Sequence, residues 1–194
     1  MTFGGLPARW EPAGASRGLA LVLPGRAYPP SAPLLDLARR AFLRHGFTVR
    51  EVWWDSTSRT EAEVAAPEPW VRRQAEAALA DEDAERVVVV GKSLGTNAAS
   101  YACERGLDAV WLTPLLVDPV LADGIGRSSG RQLLVGGSAD AWWDSAVAAR
   151  LRGPRCDVLE LPDADHGLCV DDVVRTAELH VAVARALDGF LAGL

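Results

Sequence analysis

The feature that most constrains the fold is a run of four valines at positions 87–90, followed at once by Gly91-Lys92-Ser93-Leu94-Gly95. β-Branched residues favour strands, and a run of them without polar alternation is typical of a strand that is buried on both faces. Such strands occur mainly in parallel sheets that carry helices on both sides. The valine run therefore predicts a central parallel strand of an α/β protein.

Several other segments alternate between the apolar pattern of a strand and that of an amphipathic helix. Strands are predicted at residues 18–23, 47–54, 109–112, 132–135 and 157–161. Helices are predicted at residues 31–45, 70–80, 93–105, 142–151 and 170–191. Alternation of this kind, with connections of this length, favours right-handed crossovers and helices on both faces of the sheet. We predict one domain over residues 1–194, a three-layer α/β/α sandwich with a mostly parallel sheet of about six to seven strands.

Local signals bound some of these elements and leave others open. Ser31 has the side chain of a helix N-cap, and Gly46 is placed to end the same helix. Residues 56–69 are polar and contain proline, which predicts a loop. Residues 1–17 are compatible either with a short edge strand at 8–11 or with a segment that wraps the surface.

Composition and charge exclude several classes of function. The net charge of −6 and a pI near 5.1 argue against nucleic acid as a partner. No apolar run approaches the roughly 18 residues of a membrane span, and the first residues lack the pattern of a signal peptide. The three cysteines are too scattered for a metal clamp or a disulfide framework, which favours a reducing, cytoplasmic setting. We expect no metal and no cofactor, and the sequence does not indicate the oligomeric state.

The segment Gly91-Lys92-Ser93-Leu94-Gly95 matches the pattern G-x-S-x-G between a strand and a helix. In such an elbow the turn is so sharp that the central serine adopts a strained conformation, and small residues are needed two positions before and after it. The serine hydroxyl is then exposed at the start of a helix, where developing negative charge is favoured. A phosphate-binding P-loop is rejected because Arg86 stands where that motif needs glycine. A chance match in a glycine-rich chain remains the alternative.

A serine nucleophile needs a base within hydrogen-bonding reach, and the chain has only three histidines. His45 lies at the end of a predicted helix, where an imidazole commonly caps carbonyl groups. His180 lies within the last helix, which favours a structural or solvated role. His166 follows the last predicted strand, at the same carboxyl edge of the sheet as Ser93, where such sheets bind ligands. We predict that His166 is the base.

The base needs a carboxylate to orient it, and Asp140 follows the preceding strand at the same edge. The chain order Ser93, Asp140, His166 is the order that α/β folds of this type use. Asp118 is the main substitute, and Asp144 lies one helical turn beyond Asp140. Asp165, next to the histidine, is expected to hold its own loop. Each aspartate also fits the ordinary role of a turn or N-cap residue.

Acyl transfer also requires donors for the developing oxyanion. The backbone N–H of Leu94, directly after the nucleophile, is the first candidate. The second is expected in the loop after the first strong strand, where we predict the Arg26 N–H, with that of Ala27 as the substitute.

From Gly18 onward the chain resembles the α/β-hydrolase superfamily, and within it the small lidless members similar to dienelactone hydrolases. The elbow of that group can also be G-K-S-x-G, and the segments Gly137-Ser138-Ala139-Asp140 and Asp163-Ala164-Asp165-His166 resemble its acid and histidine motifs. True dienelactone hydrolases have cysteine where this chain has Ser93, so the resemblance implies an ester or a related acyl substrate. The usual His-Gly of the oxyanion loop is Pro24-Gly25 here. Relatives include a subunit of a histone-acetyltransferase complex, so the resemblance is also compatible with a binding role.

The predicted site is open and has aromatic residues nearby. The interval from Thr113 to Gly130, where this fold usually carries a cap domain, has room only for a short helix and loops. Tyr28, Trp142 and Trp143 are candidate substrate-binding residues, and Trp53-Trp54 is a further candidate wall. Packing of the tryptophans between helices and sheet is an equally suitable interpretation.

The sequence predicts a serine hydrolase that cleaves small carboxylic esters or related acyl compounds through an acyl-enzyme. Its partner is a small-molecule acyl substrate, and thioesters and amides remain open. The alternative is a non-catalytic α/β-hydrolase scaffold that binds a protein or a ligand.

Overall fold

A computed structural model describes residues 8–194, which contain one seven-stranded sheet. The spatial order of the strands is β1-β3-β2-β4-β5-β6-β7, and every neighbouring pair is parallel except β1 with β3. The strands are β1 Arg9–Trp10, β2 Leu19–Leu23, β3 Thr48–Glu51, β4 Val87–Lys92, β5 Asp108–Leu112, β6 Gln132–Gly137 and β7 Cys156–Leu161. The valine run is therefore the middle of the sheet, and the predicted fold class is confirmed.

Helices cover both faces of this sheet. The α-helices are α1 Pro33–Arg44, α2 Glu61–Ala65, α3 Glu68–Leu79, α4 Ala99–Glu104, α5 Pro119–Arg127, α6 Ser145–Leu151 and α7 Val173–Ala192. Two 3-10 segments, Ser56–Ser58 and Ser93–Ala98, complete the described elements. Helices α1 and α7 pack on one face, and α3 to α6 pack on the other.

The two cores follow from the alternation of side chains along each strand. Val88 and Val90 of β4 pack in the core beneath α1 and α7, whereas Val89 packs in the core on the opposite face. Trp111 of β5 is fully buried in that second core, and its indole N–H donates to Gln132 Oε1 at 2.8 Å. The buried polar groups of this pair are thus satisfied, as burial requires.

The boundaries differ from the sequence prediction at several points. Ala32, not Ser31, is the N-cap of α1, because Pro33 takes the first helical position, whereas Gly46 ends the helix with a φ of 81° as predicted. The edge strand near residue 9 is confirmed, and β3 is shorter than the predicted 47–54. Residues 142–144 do not belong to α6 because the Asp144 side chain caps that helix.

Part of the predicted loop 56–69 is helical. The Thr60 side chain accepts from the Glu63 N–H, and the Glu63 side chain accepts from the Thr60 N–H, which is a capping box that starts α2. Between β5 and β6 the chain forms only α5 and loops, so residues 113–131 contain no cap domain. No helix within residues 8–194 is long and apolar enough to cross a membrane.

Candidate active site

Ser93 lies at a very tight turn between β4 and the 3-10 segment that follows it. Its φ is 51°, in the left-handed region that a non-glycine residue rarely adopts. A Cβ on Gly91 would lie 2.7 Å from the Gly95 carbonyl oxygen, and a Cβ on Gly95 would lie 2.1 Å from that of Leu23. Only glycine fits at these two positions, which is the steric requirement that the G-x-S-x-G pattern encodes.

The three residues predicted to act together lie within hydrogen-bonding distance. His166 Nε2 is 2.8 Å from Ser93 Oγ, and His166 Nδ1 is 2.7 Å from Asp140 Oδ2. The Asp140 side chain is fully buried and that of His166 is about one-third exposed, at 32%. With the Nδ1–H donating to Asp140, Nε2 is left free to accept the serine proton, which is the arrangement of a serine nucleophile and its base.

The loops that carry Asp140 and His166 are fitted against each other. The Ala139 N–H donates to the Ala164 carbonyl at 3.0 Å, and a Cβ on Gly137 would lie 2.1 Å from the same oxygen. The second carboxylate oxygen of Asp140 accepts the Trp142 N–H at 2.9 Å. These contacts fix the carboxylate that faces His166.

Strained backbone is concentrated at this edge of the sheet. The non-glycine residues with positive φ among residues 8–194 are Ser93, Thr113, Asp163 and Leu168, and they follow the carboxyl ends of β4, β5 and β7. Strain of this kind persists where the surrounding structure enforces it, and it clusters at functional sites.

The other aspartates have the structural roles that remained open from the sequence. Asp165 accepts hydrogen bonds from the N–H groups of Gly167 and Cys169, so it holds the loop of His166 as predicted. Asp118 caps α5 and Asp144 caps α6. Neither of these two contacts His166.

The other two histidines lie away from the elbow. His45 Nε2 is 2.8 Å from Asp188 Oδ1, so its imidazole joins the end of α1 to α7. The imidazole does not cap a carbonyl of α1; the end of that helix is capped through backbone N–H groups. His180 lies on α7, and its buried Nε2 has no hydrogen-bond partner among residues 8–194.

Two side chains donate hydrogen bonds to backbone carbonyl groups of the loop after β2, which is predicted to supply the second oxyanion donor. The Trp54 indole N–H donates to the Gly25 carbonyl at 3.2 Å, and the Ser56 hydroxyl donates to the Arg26 carbonyl at 2.5 Å. Arg26, Ala27 and Leu94 line the same cleft as Ser93. Trp54 and Ser56 were not anticipated as supports, since nothing in the sequence signals a contact across some 30 residues.

A cleft of about 610 Å³ opens over Ser93. Its apolar wall includes Val64, Leu115 and Trp142, and Tyr28 lines it near the oxyanion loop. The Tyr28 hydroxyl accepts the Leu34 N–H at 2.9 Å, and burial raises the pKa of this phenol. Tyr28 and Trp142, both predicted as substrate-binding residues, thus line the cleft over Ser93.

The prediction that Trp143 binds substrate is wrong, because its side chain is buried away from the cleft. It is only 7% exposed, packs against Gly136 and donates its indole N–H to Glu160 at 2.6 Å, and it does not line the cleft. Adjacent residues in this loop point in opposite directions, so only Trp142 reaches the opening. Trp53 and Trp54 line a smaller pocket of about 270 Å³ that shares the oxyanion loop with the main cleft.

Lys92 was not anticipated from the sequence as a site residue. It is 3% exposed, and its ammonium donates to the His166 carbonyl at 3.1 Å. Burial lowers its pKa to about 8, although the carboxylates of Asp140 and Asp165 act in the opposite direction. The alternation of side chains that places Val88 and Val90 on the face of α1 also places Lys92 on that face. This alternation is the sequence pattern from which the burial of Lys92 could have been predicted.

The described residues offer no evident metal centre, since residues 8–194 contain no group of three His, Cys, Asp or Glu side chains arranged to hold an ion. No family model and no curated protein matches this sequence.

Solved structures are similar in fold. An α/β serine hydrolase homologue from Coxiella burnetii is 15% identical, with a TM-score of 0.63, and 91% of this chain aligns with 88% of that one. A lidless α/β serine hydrolase from Xanthomonas campestris is 16% identical, with a TM-score of 0.62 over 94% of this chain and 87% of that one. Est1E from Butyrivibrio proteoclasticus, solved with ferulic acid, is 12% identical, with a TM-score of 0.71 over 95% and 93% of the two chains. The chain therefore has the fold of the small α/β-hydrolases that carry no lid.

Proposed function

We propose that this protein is a serine hydrolase that cleaves small carboxylic esters through an acyl-enzyme, with Ser93, His166 and Asp140 as the catalytic residues. The observation that carries the proposal is the continuous chain of two short hydrogen bonds from Ser93 Oγ to the buried Asp140 carboxylate. A buried carboxylate aligned on an imidazole that in turn meets a strained serine is an arrangement suited to nucleophilic catalysis.

In the first half of the reaction Ser93 Oγ attacks the ester carbonyl while His166 Nε2 takes the hydroxyl proton. Asp140 stabilises the imidazolium that forms. The negative charge on the former carbonyl oxygen is met by the Leu94 and Arg26 N–H groups, the first of which has no acceptor within its own helix because it lies at the N-terminus. Collapse of this intermediate releases the alcohol, which receives its proton from His166.

In the second half, water attacks the acyl group on Ser93. His166 accepts a proton from that water, and the acid leaves as Ser93 recovers its own proton from the imidazole. The open cleft admits water directly, since residues 113–131 contain no cap domain that would cover it.

Charge around the cleft narrows the substrate class. The basic residues that line it are Arg26, Arg59 and Lys92, and no acidic residue is among the described lining residues, although the whole chain carries a net charge of −6. Within residues 8–194 no ion pair joins the Arg26 or the Arg59 guanidinium to a carboxylate. Arg59 donates through Nε to the Ser56 carbonyl. Esters with a negative group away from the scissile bond are therefore expected to bind better than neutral ones.

The test compares 4-nitrophenyl acetate, 4-nitrophenyl hexanoate and the mono-4-nitrophenyl ester of adipic acid, which matches the hexanoate in length and adds a carboxylate. We expect all three to be hydrolysed, with KM for the adipate ester lower than for the hexanoate by about 3- to 10-fold at low salt. The difference is expected to shrink as ionic strength rises, because partly exposed charges are screened.

Arg59→Gln is expected to remove most of this difference, whereas Arg150→Gln, an exposed arginine that does not line the cleft, is expected to preserve it. Folded protein that hydrolyses none of the esters would contradict the proposed function and favour a non-catalytic scaffold. Equal KM values for the hexanoate and the adipate would contradict only the charge preference.

A further inference from the structure

Lys92 is the only lysine in the sequence, and it is placed where an ammonium is least favourable. It leaves β4 directly before Ser93 and is 3% exposed. Burying an ammonium costs several kcal/mol unless partners compensate for the lost water. A buried ammonium beside a cleft therefore points to a role in the chemistry of the site.

The side chain of Lys92 contacts the loops on both sides of the nucleophile. Its stem passes Gly25 of the oxyanion loop, where a Cβ would lie 3.4 Å from Lys92 Cδ. Its ammonium lies 4.7 Å from the centre of the Tyr28 ring in the same loop. The ammonium also donates to the backbone carbonyl of His166 at 3.1 Å.

The backbone at His166 needs such support. Asp163 and Leu168, on either side of it, have φ values of 61° and 57°. Asp165 anchors the far half of this loop through the Gly167 and Cys169 N–H groups, and the bond from Lys92 anchors His166 itself.

We infer that Lys92 is a positioning residue, whose ammonium holds the His166 loop and the oxyanion loop in register with Ser93. This role rests on the proposed function. It acts through the geometry of His166 and of the Arg26 N–H, and it requires no contact between Lys92 and the substrate. A displacement of about 1 Å at reacting groups is sufficient to cost up to 100-fold in rate.

The charges around Lys92 fix the expected pH dependence. The groups around it are Asp140 and Asp165, which favour its charged form, the backbone carbonyl of His166, and the Tyr28 ring. Cys169 is a further nearby group, and it helps to raise the pKa of Tyr28. The pKa of Lys92 is lowered from 10.5 to about 8 in the folded protein. As pH rises through about 8 the ammonium loses its charge, so its bond to the His166 carbonyl weakens and kcat is expected to fall.

The same shift has the opposite effect on stability. Below pH 8 the lysine is protonated in both the folded and the unfolded chain, and its burial then opposes folding in full. Between about pH 8 and 10.5 the folded chain binds fewer protons than the unfolded chain, so this penalty fades as pH rises. A residue kept only for stability would not behave in this way.

The test is Lys92→Met, which keeps the length of the stem and removes the charge and the donors. At pH 7 with 4-nitrophenyl acetate we expect kcat to fall by about 10- to 100-fold with little change in KM. We expect the alkaline decline above pH 8 to disappear and the thermal midpoint to rise by about 2–4 °C. Lys92→Gln, which retains a donor without the charge, is expected to be intermediate in kcat.

Arg39→Met is the matched control, because Arg39 is also a largely buried cation, is paired with Glu51 at 3.0 Å and does not line the cleft. It is expected to lower the thermal midpoint and leave kcat unchanged. A Lys92→Met protein with normal kcat, with a persistent alkaline decline, or with lost stability or failed folding would overturn the inference. A wild-type chain that hydrolyses no ester would instead refute the proposed function, while the stability measurements would still report on Lys92.

Discussion

Ser93→Ala is expected to lower kcat for 4-nitrophenyl acetate by about 10⁴- to 10⁶-fold, among the largest effects of any single substitution in this chain. The reason is that Ser93 Oγ is the nucleophile of the proposed mechanism, so its loss would remove the acyl-enzyme route. The residual rate is expected to come from substrate binding and from the Leu94 and Arg26 N–H groups, which the substitution leaves in place.

The matched control is Ser100→Ala, seven positions further on and within α4. It changes the same functional group without touching the cleft, and its kcat is expected to equal that of the wild type. Measurement of initial rates across substrate concentrations separates kcat from KM for both variants. Hydrolysis by Ser93→Ala within tenfold of the wild-type rate would show that another residue is the nucleophile.

Gly95→Ala is expected to produce a large loss of stability, about 3 kcal/mol or more in the free energy of unfolding. The added methyl group would lie 2.1 Å from the Leu23 carbonyl oxygen, which belongs to the backbone of β2 and has no free rotation by which to escape. The turn that carries Ser93 would therefore have to move away from β2, and activity should fall with it.

Gly189→Ala provides the matched control, since Gly189 lies on an exposed part of α7 and a Cβ there would meet nothing within 4 Å. Alanine is favoured over glycine inside a helix, so this variant is expected to gain about 0.5–1 kcal/mol. Urea unfolding of both variants measures the two changes on one scale. Equal stability of Gly95→Ala and Gly189→Ala would contradict the close approach of the Ser93 turn to β2.

The fold and the arrangement of the site followed from simple patterns in the sequence. The valines of β4 specified a strand buried on both faces, and the carboxyl ends of parallel strands necessarily meet at one edge. For that reason Ser93, Asp140 and His166, which are distant in sequence, were expected together, and the hydrogen bonds now join them.

What escaped prediction depended on side-chain direction and on long-range contacts. Trp142 and Trp143 are identical neighbours in the sequence, yet Trp142 lines the cleft and Trp143 packs in the core. The direction of each is set by the turn after Asp140, which no periodicity describes. The burial of Lys92 has both a local and a long-range cause, since the alternation of β4 turns its side chain inward and the loops of Tyr28 and His166 then cover it.

The central claim is that Asp140 acts through His166, and His166 through Ser93. The rate at which a fluorophosphonate labels Ser93 tests it most directly, in His166→Ala, Asp140→Asn and the variant with both changes. We expect each single change to slow labelling strongly, and the double variant to label no more slowly than His166→Ala alone, because residues that act as one unit are not additive. Labelling of Ser93 at the wild-type rate in His166→Ala, or losses that multiply in the double variant, would contradict the account.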